Sequence, residues 1–215
     1  PGIWYQRKVQ IPSAWEGKRI FMNFGAVDYY ATLYVNDKVA GRHWGGSSSF
    51  AIDITDYIEP GKEANIVLWV KDDLRGGAQT GGKQSHGYYS SGCYYTRVTG
   101  IWQTVWMEAV SPVGLRNAYV KPDFDNSRFV VEPNFYALEK GLKLRIKVLD
   151  GTKVVASATE TATVPMTVVL PVKNVKTWSP ESPFLYDLEY EVLNAQNHVV
   201  DKVKSYAGMR KVHIE

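Results

Sequence analysis

Apolar and polar residues alternate along much of this chain, a pattern typical of half-buried β-strands. In the first half the alternation runs through residues 4–11, 19–24, 31–36 and 50–54. Residues 64–70 form a nearly continuous apolar run, which predicts a central strand. Residues 55–58 predict one helical turn, and a further strand is expected over 102–110.

The pattern changes after Ser111-Pro112, where tryptophan is missing until Trp178 and glycine becomes rarer. Apolar residues alternate with cations through 142–148, and Asp150-Gly151 is a hairpin signal. Further strands are expected within 153–157, 167–172, 186–193 and 198–206. Short strands without helices predict an all-β protein of two domains, 1–111 and 112–215, the second of immunoglobulin-like size.

Composition narrows the class of protein. The chain has 215 residues, a net charge of +3 and 14 Tyr, 7 Trp and 7 Phe. The charge is small and scattered, which argues against a nucleic-acid partner, and no apolar run is long enough to cross a membrane. Cys93 is the one cysteine, so no internal disulfide forms. The aromatic content favours β structure and surfaces that stack on planar or sugar-like ligands.

Residues 72–94 break the strand rhythm with a glycine-, serine- and tyrosine-rich stretch. A loop this long inside a domain is usually functional. Residues 77–84 nearly match a phosphate-binding loop, but Gln84 stands where Ser or Thr should reach magnesium, and no helix pattern follows. The four histidines and Cys93 lack the spacing of metal ligands, so neither a metal nor a cofactor is expected.

Candidate binding residues lie in and around this loop. Asp73 is either a solvated strand end or a carboxylate that accepts hydrogen bonds from sugar hydroxyls. The pairs Tyr88-Tyr89 and Tyr94-Tyr95 suit either ligand binding or packing between domains. Core packing is the favoured interpretation for Trp102 and Trp106, which lie four residues apart.

Six separated segments resemble the N-terminal, non-barrel part of glycoside hydrolase family 2, the β-galactosidase, β-glucuronidase and β-mannosidase group. They are 24–36 (FGAVDYYATLYVN), 41–46, 50–56 (FAIDITD), 96–106 (TRVTGIWQTVW), 178–186 (WSPESPFLY) and 208–212 (GMRKV). The resemblance implies a jelly-roll sugar-binding domain, an immunoglobulin-like sandwich and then a TIM barrel. It also implies a retaining mechanism on β-glycosides with two barrel glutamates about 5 Å apart. No catalytic residue is carried over to this chain, which is predicted to be inactive alone.

The same resemblance adds three site residues to Asp73. Some family members place a sugar-binding aspartate shortly before the segment 96–106, at the position of Tyr94 and Tyr95 in this chain. Arg97 matches the motif arginine, which either contacts ligand or forms a buried ion pair that holds the loop. The expected partners are a β-glycoside, the barrel domain and a second copy of the chain.

Two alternatives remain open from the sequence: a free-standing carbohydrate-binding protein, and a structural protein of two β-sandwiches. The sequence does not define the sugar or its linkage. It leaves localisation open as well, since a bacterial periplasm and a cytoplasm both suit a chain with one cysteine.

Overall fold

The computed structural model describes residues 2–73, 75–76 and 79–213. Gly77 and Ala78, which begin the near match to a phosphate-binding loop, lie outside the described residues. The chain divides into two compact units, residues 1–110 and 111–215.

The first unit is built from short strands joined by turns. Single turns of 3-10 helix occur at Ser13–Trp15 and, where the sequence predicts a helical turn, at Thr55–Tyr57. The strands are β1 (Gly2–Gln10), β2 (Arg19–Phe24), β3 (Val27–Asp28), β4 (Tyr30–Val35), β5 (Lys38–Trp44), β6 (Phe50–Asp53), β7 (Glu63–Lys71), β8 (Gly100–Ile101) and β9 (Val105–Val110).

Two sheets of the first unit enclose its core. A four-stranded sheet has the order β1-β7-β4-β5 and a three-stranded sheet the order β6-β2-β9, with β3 and β8 paired as a short ribbon. The predicted central strand is confirmed, because β7 lies between β1 and β4. Alternate residues of β4 and β7, among them Leu33, Val35, Leu68 and Val70, are buried in one cluster with Ile20 of β2.

The second unit has the strand count of an immunoglobulin-like sandwich. Its sheets have the orders β10-β11-β14 and β13-β12-β15-β16. Their strands are β10 (Leu115–Asp123), β11 (Arg128–Phe135), β12 (Lys143–Asp150), β13 (Lys153–Thr161), β14 (Val168–Pro171), β15 (Tyr186–Leu193) and β16 (Val199–Ala207).

The core of the second unit lies between its two sheets. The alternation through 142–148 is confirmed, with Leu144, Ile146 and Val148 fully buried. Phe129 of β11 meets the Tyr186 ring edge-on at 5.7 Å between ring centroids. The predicted fold class, an all-β chain of two sandwiches, is confirmed.

The β10–β11 hairpin has no counterpart among the predicted strands. Most residues of β10 are exposed or half-buried, its pairing shifts between Leu115 and Asn117, and each strand carries a proline, Pro122 and Pro133. Proline removes a backbone donor and a shifted register breaks the period-two pattern, so the sequence signal is weak here.

Within the described residues, no helix has the length and hydropathy of a membrane span.

Candidate functional site

The long loop that joins β7 to β8 is closed at its base by a buried carboxylate. Asp72 follows β7 directly and is 9% exposed. It accepts hydrogen bonds from Gln79 Nε2 at 2.6 Å and from the Thr99 hydroxyl. Gln79 Oε1 in turn accepts the backbone N–H of Asp73 at 3.0 Å. The two ends of the loop are therefore neighbours, joined through side chains.

A second carboxylate lies beside this base. Asp28 of β3 pairs with Gly100 of β8 and is 2% exposed. Its Oδ2 accepts a hydrogen bond from Gln84 Nε2 at 2.7 Å, and Gln84 Oε1 accepts the backbone N–H of Val98 at 2.7 Å. Asp28 Oδ1 is buried without a hydrogen-bond partner in the described structure. Gln84 therefore links the interior of the sandwich to both arms of the loop.

The environment of Asp28 makes its carboxyl harder to ionise than a carboxyl in water. Burial raises the pKa of this carboxyl above its usual value, the hydrogen bond from Gln84 partly opposes the rise, and the nearby charge of Asp72 adds to it. A cavity of about 140 Å3 adjoins the carboxyl and is lined by Asp28, Gly46, Ser47, Gln84, Tyr95, Val98 and Trp102.

The outer part of the loop is held by its own hydrogen bonds. The N–H of Ser85 donates to Tyr95 O at 2.8 Å, and the N–H of Tyr95 donates to Lys83 O at 2.9 Å. Arg97 donates from its guanidinium to the carbonyl of Gly87. Tyr88 and Tyr89 meet edge-on and are 76% and 80% exposed. The loop thus presents aromatic rings to solvent on a backbone that is tied at several points.

The four predicted site residues lie in different parts of the first unit. Asp73 lines a groove on the outer face of the four-stranded sheet. Tyr95 borders the small cavity beside Asp28, whereas Tyr94 lies half-exposed in the turn after Cys93. Arg97 holds the loop through a carbonyl, and the described contacts record no carboxylate partner for it. These positions leave their role in sugar binding a prediction.

Sequence patterns missed the buried residues of the site. Asp28 lies within the segment 24–36 but is not singled out there, and Gln84 attracts notice only because it breaks the match to a phosphate-binding loop. The two are 56 residues apart in the chain, so their contact depends on the fold. A carboxylate between the apolar Val27 and the aromatic Tyr29 was the available signal, because charged residues rarely occupy a buried strand without a partner.

The core interpretation of Trp102 and Trp106 is wrong. Trp102 is 46% exposed and Trp106 is 44% exposed. Val105, Met107 and Ala109 of β9 pack against the core instead, so Trp106 faces away from it. Trp102 lies in the break between β8 and β9, where its indole Nε1 donates to Gly46 O at 2.7 Å. It therefore ties the segment after the loop to the glycine turn after β5.

The raised pKa of Asp28 gives a pH test. A group that folds with a raised pKa contributes stability that is fully present below its unfolded pKa, near 3.8, and is lost as pH rises through the folded value. Asp28→Asn removes this titration. We expect the stability of the variant relative to the wild type to increase as pH rises above 3.8 and then level off. Urea unfolding of both proteins between acidic and neutral pH measures this difference. A difference that is constant across the range contradicts the assignment.

Two acidic residues of β15 are bound to cations. Glu189 and Glu191 of β15 face Lys147 and Lys202, and Arg145 donates to Glu191 Oε2 at 3.0 Å. Burial by itself raises the pKa of Glu191, but the hydrogen bonds from Arg145 and Lys147 outweigh it and hold the pKa below its usual value. A carboxyl with a lowered pKa is a poor general acid.

Among the described residues, no group of three or more His, Cys, Asp and Glu side chains is arranged to hold a metal ion.

Two family models match the chain in succession. Residues 1–94 match the sugar binding domain of glycosyl hydrolases family 2, and residues 113–210 match a second model of glycosyl hydrolases family 2. The two matches follow the order of the two β-sandwiches.

Similar proteins extend well beyond the length of this chain. It is 24% identical to a β-glucuronidase of Paenibacillus borealis over 99% of this chain and 37% of that protein. It is 26% identical to a β-galactosidase of Thermoanaerobacter pseudethanolicus over 97% of this chain and 28% of that protein. The chain thus spans less than two-fifths of the length of these curated relatives.

Solved structures share the fold over nearly the whole chain. A glycosyl hydrolase family 2 member from Bacteroides cellulosilyticus superposes with a TM-score of 0.82 at 22% identity, covering 99% of this chain and 27% of that one. The β-D-glucuronidase of Dictyoglomus thermophilum superposes with a TM-score of 0.76 at 24% identity, covering 100% of this chain and 37% of that one.

Proposed function

Because the chain belongs to glycosyl hydrolase family 2, we propose that it supplies the sugar-binding and immunoglobulin-like domains of a retaining β-glycosidase. In this proposal the loop between β7 and β8 forms one wall of the substrate pocket. The bond-breaking glutamates belong to a TIM-barrel domain of the whole enzyme. A β-glycoside and that barrel are the proposed partners, together with a second copy of the chain.

The observation that carries the proposal is the anchored base of the loop. Asp72, Gln79 and Thr99 close its ends, and Gln84 fixes its middle to the buried Asp28. A wall that is already ordered loses little conformational entropy when substrate binds. The exposed rings of Tyr88 and Tyr89 offer flat apolar faces of the kind that stack on sugar rings.

The role proposed for the predicted site residues follows from their places on this wall. Tyr94 and Tyr95 extend the aromatic surface, with hydroxyls that both donate and accept hydrogen bonds. Arg97 acts as a positioning residue, because its guanidinium is engaged by the carbonyl of Gly87. Asp73 stands apart from this wall, in the groove on the outer face of the sheet.

We do not expect this chain to hydrolyse glycosides by itself. Retaining hydrolysis needs a nucleophilic carboxylate and a separate carboxylic acid about 5 Å away, with the glycosidic bond between them. Glu189 and Glu191 are held by cations, and Glu108 accepts a hydrogen bond from Asn23 at 3.1 Å. Asp28 has a raised pKa, but its 2% exposure keeps a sugar away from it.

We predict that the 215-residue chain hydrolyses neither a chromogenic β-galactoside nor a chromogenic β-glucuronide. Release of p-nitrophenol from both substrates measures this, with a buffer blank as reference. Turnover that disappears in a single carboxylate variant of this chain, such as Asp28→Asn or Glu108→Gln, contradicts the proposal.

A carbohydrate-binding protein without a hydrolase is the second candidate, favoured by the match of residues 1–94 to a sugar binding domain. The coding sequence beyond residue 215 separates the two: a barrel sequence supports the hydrolase and a stop codon the binding protein. Titration of the chain with galactose and glucuronate, followed by NMR, tests the loop directly. If signals from residues 85–97 stay unshifted with both sugars, a contact of the isolated loop with sugar is contradicted.

A further inference from the structure

A groove crosses the outer face of the four-stranded sheet, and neither Tyr88 nor Tyr89 of the loop lines it. We propose that it binds a carboxylated sugar, a uronic acid residue of a glycan. This goes beyond the proposed function, because the groove holds its own set of aromatic and cationic side chains and needs neither hydrolysis nor the tyrosines of the loop wall.

The register of the four strands builds the groove. Trp4 of β1 pairs with Trp69 of β7, Trp69 pairs with Thr32 of β4, and Thr32 pairs with Arg42 of β5. In the adjacent row Lys71 of β7 pairs with Tyr30, and Tyr30 pairs with Trp44. Residues two apart on a strand share a face, so both rows lie on the side opposite the core.

Small residues give this surface its depth. Thr32 stands between the larger side chains of Trp69 and Arg42 and is only 7% exposed. At Gly2 a Cβ would lie 2.6 Å from Trp69 Nε1, so a larger residue there would displace the indole. The resulting cavity has a volume of about 410 Å3. This lies within the range of about 300–1,000 Å3 that small-molecule sites occupy.

Aromatic rings form the apolar part of the groove. Trp44 is 68% exposed and Tyr30 is 37% exposed. Trp69 continues the surface into Trp4, with 6.1 Å between the ring centroids. A large indole left in water on a regular strand offers a flat surface of the sort that packs against the C–H face of a pyranose.

The charged side chains that line the groove favour an anionic sugar. Arg42 and Lys71 both line the groove, and neither has an ion pair or hydrogen bond among the described residues. Asp73 supplies one negative charge, so the groove carries a net charge of +1 with His43 neutral. A guanidinium binds a carboxylate through two parallel hydrogen bonds between opposite charges, and a neutral sugar carries no such charge.

The remaining polar groups suit the hydroxyls of the same ligand. The carboxylate of Asp73 accepts hydrogen bonds of the kind that sugar hydroxyls donate. Gln79 is fixed beside it, because its amide already bonds Asp72 and the backbone of Asp73. Arg42 and Lys71 can receive the anionic group of a uronic acid ring, and Asp73 and Gln79 can bond its hydroxyls.

The test compares two sugars that differ in charge. The 15N-labelled chain is titrated with methyl β-glucuronide and, separately, with methyl β-glucoside, and the indole N–H signals of Trp44 and Trp69 are followed. We expect the glucuronide to shift both signals and the glucoside to leave them in place. Arg42→Gln is expected to weaken binding by about tenfold or more, the loss that follows removal of a charge-assisted hydrogen bond.

Matched variants separate the groove from the loop. Lys38→Gln removes an exposed cation from the far end of β5 and is expected to leave glucuronide binding unchanged. Trp44→Ala is expected to abolish the shift of Trp69 while far-UV circular dichroism remains that of the wild type. The inference is overturned if the two indoles do not respond, if the glucoside shifts them equally, or if Arg42→Gln binds like the wild type. Shifts confined to residues 85–97 overturn it too, while supporting the proposed role of the loop.

Discussion

Gly100→Ala is expected to destabilise the first unit by about 3 kcal/mol or more, the sum of a backbone and a packing cost. Gly100 has φ +90°, a backbone conformation that residues other than glycine rarely adopt. A Cβ at this position would also overlap the hydroxyl of Tyr5, with Cζ of the same ring at 3.1 Å. Urea unfolding followed by tryptophan fluorescence measures the loss.

Two further variants divide this loss into its causes. Gly17 also has a positive φ, +70°, but nothing lies within 4 Å of a Cβ there. Gly17→Ala should therefore cost only the backbone component, about 1 kcal/mol. Tyr5→Phe removes the overlapping oxygen, so Gly100→Ala should cost less in that background. Equal costs for Gly100→Ala with Tyr5 and with Phe at position 5 would show that the packing argument is mistaken.

The second large effect is expected at Gln84, where leucine should cost about 3 kcal/mol. Leucine has a similar size but removes the donor to Asp28 and the acceptor for the N–H of Val98. The carboxylate of Asp28 would then be buried with neither oxygen bonded, which is more costly than losing a hydrogen bond in water. Thermal unfolding and the rate of proteolysis within residues 79–99 report the change.

Neutralising the carboxylate should rescue part of this loss. In the background of Asp28→Asn, Gln84→Leu leaves a buried amide, which is neutral, in place of a carboxyl group that can ionise, so its cost should fall. Gln196→Leu is a matched control, because the exposed Gln196 side chain has no described hydrogen bond. If Gln84→Leu is no more damaging than Gln196→Leu, the link between the loop and the sandwich does not hold the loop in place.

Sequence periodicity predicted strands well where one face is fully buried. Strands β12 and β15 lie at the centre of their sheet, and their alternating residues Leu144, Ile146, Leu188 and Tyr190 are all buried. The β10–β11 hairpin was missed because prolines and a shifted register obscure its pattern. Whether a strand shows an alternating pattern depends on its place in the fold, and the sequence pattern alone does not give that place.

The candidate site was predicted only in outline for a related reason. Loop composition located the segment that contains Asp73, Tyr94, Tyr95 and Arg97, but not which of them lie together. The bond between Asp28 and Gln84 joins distant parts of the chain, and the groove depends on the register of four strands. Trp102 and Trp106 show the same limit, because Trp102 lies in the break before β9 and Trp106 lies on the face of β9 that is turned away from the core.

The neighbouring ends of the loop have a consequence for how such a protein diversifies. Because Asp72 and Thr99 meet, the segment between them leaves the sandwich and returns at the same place. The entropic free-energy cost of closing a loop rises slowly with its length, by about 0.6 kcal/mol for each doubling. Insertions and deletions that leave the contacts of Gln79 and Gln84 in place can therefore accumulate with little loss of stability. Natural selection, or an engineer, can change the recognition surface there while the scaffold stays constant.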